Sequence, residues 1–203
     1  MNFWMELKRM QIATFIFIFS ILFSLKAYAE RTNEAELIVN LVGNSIIKIV
    51  DDEASITQKQ DNLKVLMTQY ADLNTISRAA LGSSWRNLDA SKKKAFVKAF
   101  SNYLIKKYGS QFSEFSGAKM IISKTSDVGK RGVLVFTRFM MPGSTPIAVK
   151  WQLWDGTGNL KLIDIIIEEI SMLTMEREEI KNRLQRNKRS VTKLIEDLNS
   201  LRF

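Results

Sequence analysis

WQLWDGTGNLKLIDIIIEEISM, residues 151–172, sets two apolar runs on either side of a Gly-rich connection. A strand with one face on a core and the other in water alternates apolar and polar residues. The run Leu162 to Ile167 has a single polar member, Asp164. Both faces of this strand therefore need cover, and something other than water has to supply it. In DGTGN, Asp155 and Asn159 bear a faint likeness to a calcium loop, but the further acidic ligands are missing. A hairpin turn is the better reading.

Outward from this hairpin, KMIISKTSDV, VLVFTRFMM and IAVKWQLW are further strand-like runs, separated by GKRG and PGSTP. Such tight connections favour an antiparallel meander. Val133, Val135, Thr137 and Phe139 share one side of the second run. In the third, Ile147, Val149, Trp151 and Leu153 share one side, with Ala148, Lys150, Gln152 and Trp154 opposite.

Residues 32–116 read as helices. Asn33 with Glu36 suits a capping box, and Leu37, Ile38, Leu41, Val42, Ile46, Ile49 and Val50 make a helical stripe. Leu63, Leu66, Met67 and Tyr70 mark a second helix, and a short one near Thr75–Leu81 ends at Gly82. The strongest, residues 89–109, gathers Phe96, Ala99, Phe100, Tyr103 and Leu104 on one face and closes at Gly109. Helices return at Met175–Arg186 and Val191–Leu201. The fold class is α+β, a small twisted antiparallel sheet of about four strands wrapped by helices. Residues 30–203 form one domain: 30–117 mainly helical, 118–172 sheet, 173–203 a helical tail.

Composition narrows the chemistry. The chain has 30 Lys plus Arg against 21 Asp plus Glu, a net charge of +9, and neither cysteine nor histidine. Disulfides, thiolate nucleophiles, histidine-based triads and the usual zinc sites are excluded. Residues 1–29 read as a signal peptide: Lys8 and Arg9, an apolar run from Ile12 to Leu25, then Ala27 and Ala29 at the two positions a signal peptidase reads. Cleavage after Ala29 sends the chain to the periplasm of a Gram-negative cell. Basic clusters stand at Lys92–Lys94, Lys106 and Lys107, and along the tail from Lys181 to Lys193. They suit transient contact with an anionic membrane surface, a lipid phosphate or an acidic partner, as well as plain solvation. The leader argues against nucleic acid.

ALGSSWRNLDASKKKAFVKAFSNYLIKKYG, Ala80 to Gly109, resembles the signature helix pair of the MlaC family, also called the toluene-tolerance auxiliary family. Leu81-Gly82, Trp85, Phe96, Ala99-Phe100, Tyr103-Leu104 and Tyr108 match its pattern. VKWQLW and LKLIDIIIEEISM are similar to the family's second block, with Asp164 and Ser171 in place. The chain departs from the pattern at Glu169 and in RNKRS, Arg186 to Ser190, where the family commonly has glycine, and at Leu160 or Leu162, where it often has an aromatic.

The resemblance implies a periplasmic phospholipid-binding shuttle with a nuclear-transport-factor-like sheet. It carries lipid between an outer-membrane lipoprotein–porin complex and the lipid-binding subunit of an inner-membrane ABC transporter, and so maintains outer-membrane lipid asymmetry. Such a protein needs no catalytic group, metal or cofactor, only bound phospholipid as cargo. Acyl chains would then cover the second face of the 162–167 strand. The expected lining is Val133, Val135, Phe139, Val149, Trp151, Leu153, Ile163, Ile165 and Ile170 from the sheet, with Phe96, Phe100 and Leu104 from the long helix. Asp164 reads as structural, bonded to backbone amides or a basic side chain. Three alternatives stay open: a carrier of hopanoid or another lipid, an adaptor with a solid core, and an enzyme of the same sheet class using Asp164 or Tyr103 on an apolar substrate.

Overall fold

The computed structural model of the protein describes residues 29–110 and 116–202; the expected leader, but for its last position, lies outside them. Among the described residues there are six α-helices and one five-stranded antiparallel sheet in the order β1-β2-β3-β4-β5. Helix α1 covers residues 29–51, followed by α2 (Ile56–Tyr70), α3 (Leu73–Leu81), a 3-10 turn (Gly82–Asn87) and α4 (Ala90–Gly109). The strands are β1 (Lys119–Asp127), β2 (Val133–Met140), β3 (Ile147–Trp154), β4 (Lys161–Ile167) and the short β5 (Ile170–Ser171). Helices α5 (Met172–Arg186) and α6 (Val191–Ser200) complete the chain. The α+β architecture and the meander are as the sequence reads.

Local differences have physical causes. Because α1 runs from residue 29, Asn33 and Glu36 lie inside it rather than at a cap. Leu37 and Leu41 face outward, and the buried stripe is Ala35, Val39, Val42, Ile49 and Val50. Arg31 pins α1 to the sheet, bonding Asp127 at 2.7 Å and Asp155 at 2.9 Å. The hairpin that holds Asp155 thus closes on a cation from this chain's own helix. The capping box stands instead at Ser55 and Gln58 before α2. Gly109 is the last residue of α4, as the sequence reads, with Ser110 as its C-cap; a Cβ on Gly109 would sit 2.9 Å from Gln60 Cγ, so the glycine also admits α2 at close range. Helix α5 starts three residues earlier than Met175 because Ser171 caps it, accepting from Thr174 N.

Two apolar cores form. One joins α1 to one face of the sheet through Val39, Val42, Val133, Val135, Trp151 and Leu153. The other is all-helical, with Phe96, Phe100, Tyr103, Ile180, Leu194 and Leu198 from α4, α5 and α6.

Both places where the family commonly uses glycine carry left-handed backbone. Glu168 and Glu169 have φ of 46° and 67°, and Lys188 and Arg189 have 54° and 59°. The first pair joins β4 to β5 with Ile167 opposite Ile170. Two positive φ values in a two-residue hairpin are what a type I′ turn requires, and charged residues hold that shape less readily than Asn-Gly. Glu168 has a compensating role, accepting from Ala148 N at 2.6 Å, whereas Glu169 makes only an exposed pair with Lys150. Glu169→Gly is therefore expected to stabilise the fold by roughly 1 kcal/mol, raising the melting temperature by about 2–4 °C. Glu169→Ala, which removes the ion pair without relieving the backbone, should give no such gain in the same thermal melts.

Candidate functional site

The two cores do not meet everywhere. Between them lies a cavity of about 400 Å³, within the range of roughly 300–1,000 Å³ typical of small-molecule sites. Helix α1 contributes Val42, Ile46 and Ile47; α2 contributes Leu63, Leu66, Met67 and Tyr70; α4 contributes Phe100, Leu104 and Tyr108. The sheet closes the other side with Phe139, Val149, Trp151, Leu162, Ile163, Ile165 and Ile167. Met172, Leu173, Met175 and Glu176 from the start of α5 form an end wall.

Of the residues expected at the site, Phe100, Leu104, Phe139, Val149, Trp151, Ile163 and Ile165 come together on this lining. Phe96 does not; it stacks on Phe100 at 5.6 Å inside the helical core. Val133, Val135 and Leu153 are fully buried against α1 in the sheet core. Ile170 is 58 % exposed, because the β4–β5 turn carries it to the edge of the sheet.

The contribution of α1 and α2 was missed, although the stripe through Val42 and Ile46 was the signal for it. Leu162 was missed for another reason. The β3–β4 register shifts so that Leu153 pairs with Leu162 and Gln152 with Asp164, leaving Ile163 as an extra residue. This bulge puts Leu162 and Ile165 on the same side, which strict alternation forbids. Protein also shields part of β4, which is half-buried apart from Leu162: Asp72 N donates to Leu162 O at 2.9 Å, and α5 packs beside the strand.

Asp164 is tied on both oxygens. Oδ1 accepts from Ile165 N at 2.8 Å and Leu173 N at 2.9 Å, and Oδ2 accepts from Ser171 Oγ at 2.6 Å. These bonds fasten the first turn of α5 to β4, a structural use of the carboxylate. Glu176 is 3 % exposed and pairs with Lys107 Nζ at 2.6 Å, while Tyr108 OH donates to the same oxygen at 2.5 Å. Burial first, then this carboxylate, pushes the Tyr108 and Tyr103 hydroxyls well up, so both remain protonated. Trp151 is fixed by its indole N–H, which donates to Thr137 Oγ1 at 2.9 Å, and Thr137 in turn donates to Val149 O.

A third tie is Asp72, which caps α3 by accepting from Thr75 N and Thr75 Oγ1 and also accepts from Thr157 Oγ1 of the β3–β4 hairpin. Burial alone would push this carboxyl up, but the donors outweigh it and hold it below its ordinary range.

The sequence matches the profile of the family described as MlaC protein over residues 41–200. The chain belongs to the MlaC family. Among solved structures, it is similar to the phospholipid-binding protein from Ralstonia solanacearum, determined in complex with a phospholipid. The TM-score is 0.69 at 14% sequence identity, over 80% of this chain and 93% of that one. This likeness gives the MlaC fold to the arrangement of sheet and helices described above. No helix among the described residues of this MlaC chain is long and apolar enough to cross a membrane.

Two outcomes are expected from the ties around the MlaC cavity. Asp164→Ala strips three donors of their acceptor and should cost about 2 kcal/mol in denaturant melts, with Asp164→Asn retaining more than half of that. The depressed carboxyl of Asp72 contributes stability that is complete above its unfolded value near 4 and lost as pH falls through the lower folded value. Asp72→Asn should therefore flatten the acid limb of stability against pH relative to the parent protein.

Proposed function

We propose that this protein is a periplasmic phospholipid carrier whose apolar cavity holds acyl chains. The observation that supports this most directly is the cavity itself, lined by aliphatic and aromatic side chains where two cores part, in a chain of the MlaC family. The phospholipid in the Ralstonia solanacearum structure supports the choice of cargo. The leader motif in residues 1–29 supports export. In this reading the chain is a binding protein rather than an enzyme. It passes lipid between an outer-membrane lipoprotein–porin complex and an inner-membrane ABC transporter, touching membrane surfaces in passing, and needs no metal or cofactor.

Energetics fit a carrier. Each methylene taken out of water gains about 0.8 kcal/mol. A bilayer offers the same methylene nearly the same gain. Loading and release are both accessible only because cavity and membrane are closely matched, and the partners at each end need only lower the barrier.

The test is organic extraction of the protein, purified without detergent, followed by mass spectrometry. Phospholipid near one molecule per chain is the expected result; an empty extract, or one containing hopanoid alone, would reject this cargo. Ile165 lines the cavity while half-buried, so Ile165→Glu should strip the lipid with little change in the melting curve. Ile170→Glu, at an exposed position off the cavity, should leave the lipid bound. Equal loss in both variants would remove the cavity from the account.

A further inference from the structure

A second concavity, of about 560 Å³, lies between α2, α3 and α4 and shares no lining residue with the apolar cavity. Its charged members are Lys64 on α2 and Lys93, Lys94 and Lys98 on α4, and no Asp or Glu lines it. None of the four is ion-paired among the described residues. Lys94 and Lys98 are four apart on one helix, a spacing at which like charges repel. Side-chain amides from Asn74 and Asn102 stand at the same cleft, so donors surround it without a matching acceptor charge.

A second observation points to a ligand. Ser101, also on the lining, is 8 % exposed, and its hydroxyl is buried without a hydrogen-bond partner. A buried hydroxyl left unsatisfied is costly and calls for a partner. Trp85 forms an apolar flank and carries Lys93 Nζ 5.7 Å from its ring centroid, which holds that ammonium at the cleft.

We propose that this cleft binds a phosphate group, supplied either by a lipid headgroup or as free phosphate. Several ammonium groups, two amides and a hydroxyl match the oxygen-rich, multiply charged surface of a phosphate, and the concave shape suits a compact anion better than a flat protein partner. The assignment stands apart from the lipid proposed for the apolar cavity, since the two share no residue.

The test is an NMR titration of the nitrogen-15-labelled protein with inorganic phosphate and, separately, with dihexanoyl phosphatidylglycerol below its micellar concentration. Sodium chloride at matched ionic strength serves as the baseline. Saturable shifts of the Asn74 and Asn102 side-chain amides and of the Ser101 backbone amide are expected. Saturation by inorganic phosphate assigns the cleft to the free anion; saturation by the lipid alone assigns it to a headgroup. The Lys94→Gln/Lys98→Gln double variant, altered only at exposed positions, should bind about tenfold more weakly. Ser101→Ala should also bind more weakly without melting earlier, because the hydroxyl has no partner in the fold. Absent or non-saturating shifts with both ligands, or unchanged affinity in the lysine variant, would overturn the proposal. A Ser101→Ala protein that melts earlier and binds as before would overturn the part given to the hydroxyl.

Discussion

The cavity stands because the side chains around it are fastened from behind by directional polar bonds, where packing alone would let the walls fall together. A hollow of about 400 Å³ leaves its apolar lining short of the packing partners a solid core would supply. Collapse is resisted at three points. Asp164 clamps α5 to β4, Asp72 clamps α3 to both β4 and the β3–β4 hairpin, and Thr137 fixes the Trp151 indole. Each tie ends on a backbone group or a short hydroxyl with little freedom to follow a collapsing wall.

The same ties explain why β4 reads so apolar. Its one carboxylate is spent on amides and a serine, so Asp164 behaves as part of the scaffold. On one side the strand faces the sheet core and the cavity, and on the other it meets helix. Water is largely but not wholly kept off, since Leu162 is buried and the rest of the strand is half-buried, and the cover is divided. Protein takes much of the second face, and the space left for a guest lies between α1, α2, α4 and the sheet rather than over β4 alone.

Much of this was legible beforehand. Period-two alternation placed the inward sides of β2 and β3 correctly, and their burial follows it residue by residue. Alternation failed at β4 because a bulge adds one residue, and nothing in a uniformly aliphatic run marks where the extra residue sits. The start of α5 was misplaced because propensity is a weaker guide than a cap held from across the fold, as Ser171 is by Asp164 of β4. Phe96 and Phe100 share a helical face yet serve different ends, one in the helical core and one on the cavity. Four residues of spacing fix the face, while depth along the helix axis decides which neighbour is met.

The polar groups on the lining bear on how a guest could be held. Asp164 is engaged with α5, Tyr108 with Glu176, and Tyr70 OH accepts from Gln69. With such groups already occupied by protein, the walls offer a guest chiefly dispersion and exclusion from water, the interactions it also finds among lipid tails. A cavity of this kind tells one acyl chain from another mainly by length and shape. Discrimination between headgroups then has to come from charges beyond the apolar lining. In this chain Lys94 and Lys98 lie on a different face of α4 from Phe100 and Leu104, so the proposed phosphate cleft and the apolar cavity are reached from two faces of one helix.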